Sequence, residues 1–229
     1  MTPHTDASAA EPHGPTEDAA SSETPAVAAA VSAPLARKRP KPGERRVQIL
    51  QTLAGMLELP GADRITTAAL AAKLQVSEAA LYRHFASKAQ MFEGLIEFIE
   101  SSVFTLVNQI HEREAPPLVQ VQQMLTVLLQ FAEKNPGMAR VMVGDALVFE
   151  NERLLTRMNQ FFERFESQLR QSLRGRADEA GSATPTVDAN AQASVLTAFA
   201  VGRLQRFARS GFKRSPVEYL DAALGMLAS

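Results

Sequence analysis

An all-helical architecture, with a small three-helix head on a longer helical body, is what this 229-residue sequence predicts. Three observations carry that expectation. Apolar residues recur three and four apart through most of the chain after residue 44, the spacing that lines one face of a helix. No stretch alternates apolar and polar with period two over a useful length, so no sheet is expected. Proline, glycine and asparagine interrupt the pattern at Pro60-Gly61, Pro116-Pro117, Asn135-Pro136-Gly137 and Pro216, where helices start or stop.

The totals exclude more than they specify. With no Cys, disulfides, thiolate nucleophiles and cysteine metal sites are ruled out. Apolar runs fall well short of the roughly 20 residues needed to span a bilayer. The N-terminus has no basic-then-apolar leader pattern, so a cytoplasmic protein is the default expectation. The net charge is only −1, but it is unevenly distributed. Residues 1–36 carry five acids and no Lys or Arg; residues 37–90 carry ten basic groups against four acids, and residues 91–229 fourteen against sixteen. The positive charge therefore sits with the head, which implies a polyanion partner there.

Residues 1–36, rich in Ala, Pro, Ser, Thr and acid, hold too little apolar surface to offset their ordering entropy and are expected to be a disordered extension. Arg37, Lys38, Arg39 and Lys41 follow as a basic arm, and Arg45 and Arg46 continue the charge. A solvated charge run is the ordinary account; directly before a DNA-reading head, such an arm neutralises phosphates. Helix one is expected from about Glu44 to Glu58, with Val47, Leu50, Ala54 and Leu57 as its buried stripe.

The stretch from Ile65 to Phe92 reads as two short helices joined by a tight turn. Thr66 or Thr67 caps the first, in which Leu70 and Leu74 share a face. Ser77-Glu78 caps the second, a helix of about nine residues with Leu81 and Phe85 four apart and pointing inward. Its other face carries Glu78, Ala79, Tyr82 and Arg83. Small leading side chains let such a helix enter the major groove, while Tyr82, Arg83, His84 and Lys88 supply donors for phosphate oxygens. The candidate DNA interface comprises Thr66, Thr67, Ser77, Glu78, Ala79, Tyr82, Arg83, His84 and Lys88 with the arm residues. On geometry alone, a helical hairpin with a polar outer face explains the same pattern.

From Ser87 a long helix runs to about His111, with Met91, Leu95, Phe98, Ile99, Ser102 and Leu106 at helical spacing. Phe98 lies at the edge of that stripe, where core packing is the ordinary expectation. Pro116-Pro117 opens a helix whose apolar face is Val121, Met124, Leu125, Leu128, Leu129 and Ala132, ending at Asn135. Further helices are expected over Met138 to Phe149, Asn151 to Arg174, residues 190–210 capped by Asp188 or Asn190, and Val217 to Leu227. In the third of these Val195, Leu196, Phe199, Val201, Leu204 and Phe207 are expected inside and Arg203, Arg206 and Arg209 wet; in the last, Tyr219, Leu220, Ala223, Leu224 and Leu227 are expected inward. Residues 175–188 have loop composition. The helices at 151–174 and 190–210 are the candidate pairing surface of a homodimer, which would set two reading heads about 34 Å apart on a palindromic site. The domain expectation is a tail and arm at 1–42, a head at 43–90 and a body at 91–229.

Catalytic chemistry finds no support. His84 and His111 lack carboxylate or histidine neighbours at metal-binding spacing, and there is no phosphate-cradling glycine loop, so neither metal nor cofactor is expected and the chain does not read as an enzyme.

The string from Thr66 to Lys88 fits T-x-x-x-[LI]-A-x-x-x-x-V-S-x-x-x-[LI]-Y-x-[HY]-F-x-[SN]-K and so resembles the helix-turn-helix of the TetR-type regulators. The likeness extends into the body. ITTAALAAKLQVSEAALYRHFASKAQMFEGLIEFIE, FAEKNPGMARVMVGDALVFENERLLTRMNQFFERFESQLRQSLR and GRLQRFARSGFKRSP are similar to the nucleoid occlusion factors within that family, across nearly all of residues 43–215. The acidic tail is a departure. The resemblance implies a TetR-like fold and a dimer that binds scattered double-stranded chromosomal sites, engages FtsZ when bound and antagonises division-ring assembly over the nucleoid. It also implies a partner surface at Phe98, Lys134 and Asn135, with Lys134 standing where the family often has Arg. For Asn135 a plain helix C-cap remains the other reading, and for the whole chain a ligand-responsive transcriptional repressor.

Overall fold

The computed structural model describes residues 43–59 and 64–227, and all regular structure among them is helical. The elements are α1 (Glu44–Leu57), α2 (Thr67–Leu74), α3 (Glu78–Tyr82), α4 (Lys88–His111), α5 (Pro117–Lys134), α6 (Pro136–Met142), a 3-10 turn (Asp145–Leu147), α7 (Glu152–Glu179), α8 (Pro185–Arg209) and α9 (Leu220–Leu227). The acidic tail, the basic arm and the Pro60-Gly61 turn lie outside the described residues. One continuous apolar core joins Leu53 and Leu57 of α1 to Ile99 of α4, Leu128 of α5, Phe161 and Phe165 of α7 and Leu204 of α8. α4 starts beneath the head and ends inside the body, so the two share packing rather than a linker. None of the described helices is long and apolar enough to cross a membrane.

The face of α1 differs from expectation. Ile49, Leu53 and Leu57 are buried, whereas Val47 is 53% exposed and Leu50 and Ala54 are half-buried. Both rows are apolar at helical spacing, so periodicity alone does not choose between them; the docking of α2, α4 and α6 does. α6 comes unusually close to α1. A Cβ on Gly137 would lie 2.2 Å from the Ala54 carbonyl oxygen, so only glycine permits the approach.

Five helix boundaries also move; the last of them is that of α9, which begins at Leu220 rather than Val217. α3 is shorter than expected, because after Tyr82 the chain turns to bury Phe85. The helix expected over Met138 to Phe149 breaks at Gly144, whose φ of 84° is left-handed, leaving α6 and the 3-10 turn. α7 runs past Arg174, since Arg176, Ala177 and Glu179 are good helix formers and Gly175 costs only about 1 kcal/mol. It ends where Gly181 (φ 71°) allows Ser182 N–H to reach back to the Ala177 carbonyl. α8 starts at Pro185, a residue whose ring suits the first helical position, with Thr184 at the cap, so neither Asp188 nor Asn190 caps it. The expected loop at 175–188 therefore shrinks to a few residues. Val195, Leu106 and Tyr219, expected inward, are exposed; Tyr219 has a left-handed φ of 53° just before α9, which holds its ring away from the core. Arg206 and Arg209 are exposed as expected, while Arg203 folds back over the Phe199 ring at 4.9 Å. The face of α5 agrees with the expected apolar residues. On α7 the residues Leu154, Met158, Phe161, Phe165 and Leu169 are buried and Leu155 and Phe162 half-buried.

Candidate nucleic-acid and partner interface

The head is built by local capping. Thr66 accepts a bond from Ala69 N–H (3.1 Å) to start α2, and Ser77 accepts one from Ala80 N–H (3.3 Å) to start α3. Between them Gln75 adopts a left-handed φ of 56°, and Val76 N–H closes back onto the Ala71 carbonyl at 3.0 Å. This is the tight turn that sets the two helices across each other. Thr67 donates its hydroxyl proton to Glu78 (2.5 Å), tying the start of α2 to the start of α3. Leu70, Leu74, Leu81 and Phe85 fill the space behind. Of the candidate DNA residues, Thr66, Ser77, Thr67 and Glu78 are thus occupied in building the motif, and Ala79, Tyr82, Arg83 and His84 are exposed on its outer side. Arg46 braces that side from behind: its guanidinium stacks on Phe85 at 4.1 Å and donates to the His84 carbonyl at 3.0 Å. Arg37, Lys38, Arg39 and Lys41 lie outside the described residues.

Lys88 departs from the expected open phosphate donor. Its ammonium is paired with Glu150, 62 residues away in the body, and lies over the Phe92 ring at 5.6 Å. No local signal in the sequence announces a partner that distant. Two further pairs continue along the seam between α4 and α7: Glu93 with Arg153 at 2.8 Å, and Glu100 with Arg157, bidentate at 3.0 and 2.5 Å. The Glu100 hydrogen bond raises the Arg157 pKa above its ordinary value against the opposing effect of burial, so its charge is fixed.

A second feature lies where α1, α4 and the α5–α6 junction meet. Val47, Leu50 and Ala54 of α1 face Leu95 and Phe98 of α4, with Asn135 and Met138 closing the end of an open, mainly apolar groove of about 400 Å³. Phe98 is 48% exposed, its ring 5.8 Å from that of Phe131. It is neither core nor free surface. Asn135 follows α5 as its C-cap and donates its amide to the Phe131 carbonyl at 2.8 Å, so the capping reading and the groove position hold together. Lys134 is exposed beside it. Sequence reasoning missed the α1 wall of this groove because it placed Val47, Leu50 and Ala54 in the core.

Comparison with known proteins covers both halves. Residues 49–95 match the bacterial regulatory proteins of the TetR family, and residues 116–229 match a SlmA-like tetracycline-repressor C-terminal domain. The nucleoid occlusion factor SlmA of Aliivibrio fischeri strain MJ11 is 52% identical over 191 residues, 83% of this chain and 97% of that protein. That of Vibrio cholerae serotype O1 is 52% identical over 186 residues, 81% of this chain and 94% of its own length. Among solved structures, the TetR-family regulator PfmR of Thermus thermophilus superposes with a TM-score of 0.64 at 20% identity, covering 79% of this chain and 96% of its own, which bears on the fold alone. Head, body and topology agree, and the chain belongs to the SlmA nucleoid occlusion factors of the TetR family.

Proposed function

We propose that the protein binds double-stranded chromosomal DNA as a homodimer in the cytoplasm and, from the nucleoid, engages FtsZ to oppose division-ring assembly. The observation that carries this reading is that identity to the nucleoid occlusion factors runs through the body as well as the head, at 52% over 83% of the chain. A more distant TetR-family regulator shares the fold but not this identity, as the 20% of PfmR over 79% of the chain illustrates. The exposed Tyr82, Arg83 and His84 supply the phosphate contacts, and Ala79 leaves room for the front of α3 to approach base edges. Pairing falls to α7 and α8: Val187, Ala191, Val195 and Ala198 recur on the open side of α8, an apolar row suited to a second copy. The groove beside Phe98, Lys134 and Asn135 is the FtsZ contact in this reading. Its relatives are named for a non-enzymatic role, and no reaction is assigned to it.

The test is sedimentation of FtsZ polymer with the full-length protein, with and without a chromosomal duplex that it binds. Polymer should fall only when protein and duplex are both present. Phe98→Ala should abolish that loss and leave duplex affinity within about twofold, because the groove that holds Phe98 is lined by none of the exposed residues of the reading face. Tyr82→Ala should weaken duplex binding on all sequences alike. Release from duplex by a small metabolite, with no effect on FtsZ, would overturn the reading in favour of a ligand-responsive repressor.

A further inference from the structure

We propose that Glu150, a residue of the body, sets the head's grip on duplex by competing with backbone phosphate for Lys88. This rests on the DNA-binding reading and adds a residue and a mechanism to it. Lys88 is the first residue of α4, directly after the Ser87 cap and six residues beyond Tyr82, and so follows the reading surface immediately. A cation at that position is the one expected to meet phosphate. In the free protein it is already neutralised by a carboxylate whose side chain is only 10% exposed, against 23% for the lysine.

Glu150 is not a wandering surface group. Its turn is pinned on both sides: Leu147 is fully buried, Glu150 N–H donates to the Leu147 carbonyl at 3.0 Å, and Asn151 caps α7 by accepting from Arg153 N–H at 3.1 Å. The body therefore presents a fixed carboxylate to the head. A phosphate oxygen and the Glu150 carboxylate make the same charge-assisted bond to one ammonium, so each weakens the other's hold. Any rearrangement that draws the start of α7 away from α4 would hand Lys88 to DNA, and DNA binding would by reciprocity loosen that seam.

The experiment is fluorescence anisotropy of the full-length protein on a labelled duplex enriched from genomic fragments by the wild type, over a salt series. Glu150→Gln is expected to bind several-fold tighter near about 0.15 M salt and to steepen the dependence of log K on log salt by about 0.9, the signature of one more neutralised phosphate. Glu152→Gln makes the same charge change two residues away at the exposed start of α7, and should leave the slope unaltered. Combining Lys88→Gln with Glu150→Gln should remove the gain. If thermal melting shows Glu150→Gln unfolded, Glu150→Asp keeps the charge with a shorter reach and should shift the slope in the same direction by less. A slope and affinity equal to wild type, or weaker binding by Glu150→Gln, would overturn the competition. Failure of the wild type to enrich any duplex would instead sink the DNA-binding reading itself.

Discussion

The head meets the body at two junctions made of different materials. At the first, α6 lies so close to α1 that Gly137 sits against the Ala54 carbonyl, and shape alone holds the contact. At the second, Lys88 at the end of the head pairs with Glu150 in the turn before α7, and Glu93–Arg153 and Glu100–Arg157 continue the charged seam between α4 and α7, all partly open to water. Close-packed backbone has no give, because nothing fills in when it separates and nothing yields when it is crowded. Charged seams change with salt, solvent and competing ions. The molecule therefore has one fixed joint and one adjustable joint, and the groove at Phe98 is lined by α1 and α4, an element of each.

The largest effect should come from crowding the fixed joint. Gly137→Ala places a carbon 2.2 Å from a backbone oxygen, which no rotamer change relieves, so the loss should be about 3 kcal/mol or more in urea unfolding. A midpoint equal to wild type would show that α1 and α6 are not rigidly docked. On the adjustable joint, Arg157→Ala removes the bidentate pair with Glu100. With both side chains about a third exposed or less, about 1 kcal/mol is expected, diminishing in molar salt. The sign with pH follows from the raised pKa of Arg157. Its contribution is complete below the ordinary guanidinium value and lost only above the raised one, so no change in stability between about pH 6 and 9 should trace to this residue. A stability difference between wild type and Arg157→Ala that varied across that range would assign the effect to another group.

The two joints are unequally legible in the sequence. The head is readable because its signals are local: Thr66 and Ser77 cap their own helices, and Leu70, Leu81 and Phe85 take the interior positions that their spacing assigns. The apolar face of α5 is readable for the same reason. What fails is information held by a distant partner. On α1 two apolar rows compete, and the docking of α2, α4 and α6 buries Ile49 and Leu53 rather than Val47 and Leu50. Lys88 reads as a phosphate donor because its carboxylate lies 62 residues away. Composition also misleads at 175–188, where one glycine amid good helix formers carries more weight than its cost of about 1 kcal/mol supports. Phe98 shows the mixed case: periodicity places it at a stripe edge, and the structure leaves it there, half-exposed.

The smallest effect is the one that tests whether the adjustable joint is a set of separate contacts or a single unit. Arg153 and Glu93 are the most open rung, with side chains 56% and 30% exposed at 2.8 Å. An independent surface pair of this kind is worth a few tenths of a kcal/mol, since water solvates both charges nearly as well when they part. Arg153→Ala should therefore shift the urea midpoint by barely more than its error, and the double variant with Arg157→Ala should equal the sum of the two singles. Both positions lie on α7 one helical turn apart and hold the same face of α4, so coupling between them is physically open. A double variant that lost clearly more or less than the sum would mean that α4 detaches from α7 as a piece, and in that case releasing Lys88 at one end would be felt at Phe98 on the same helix.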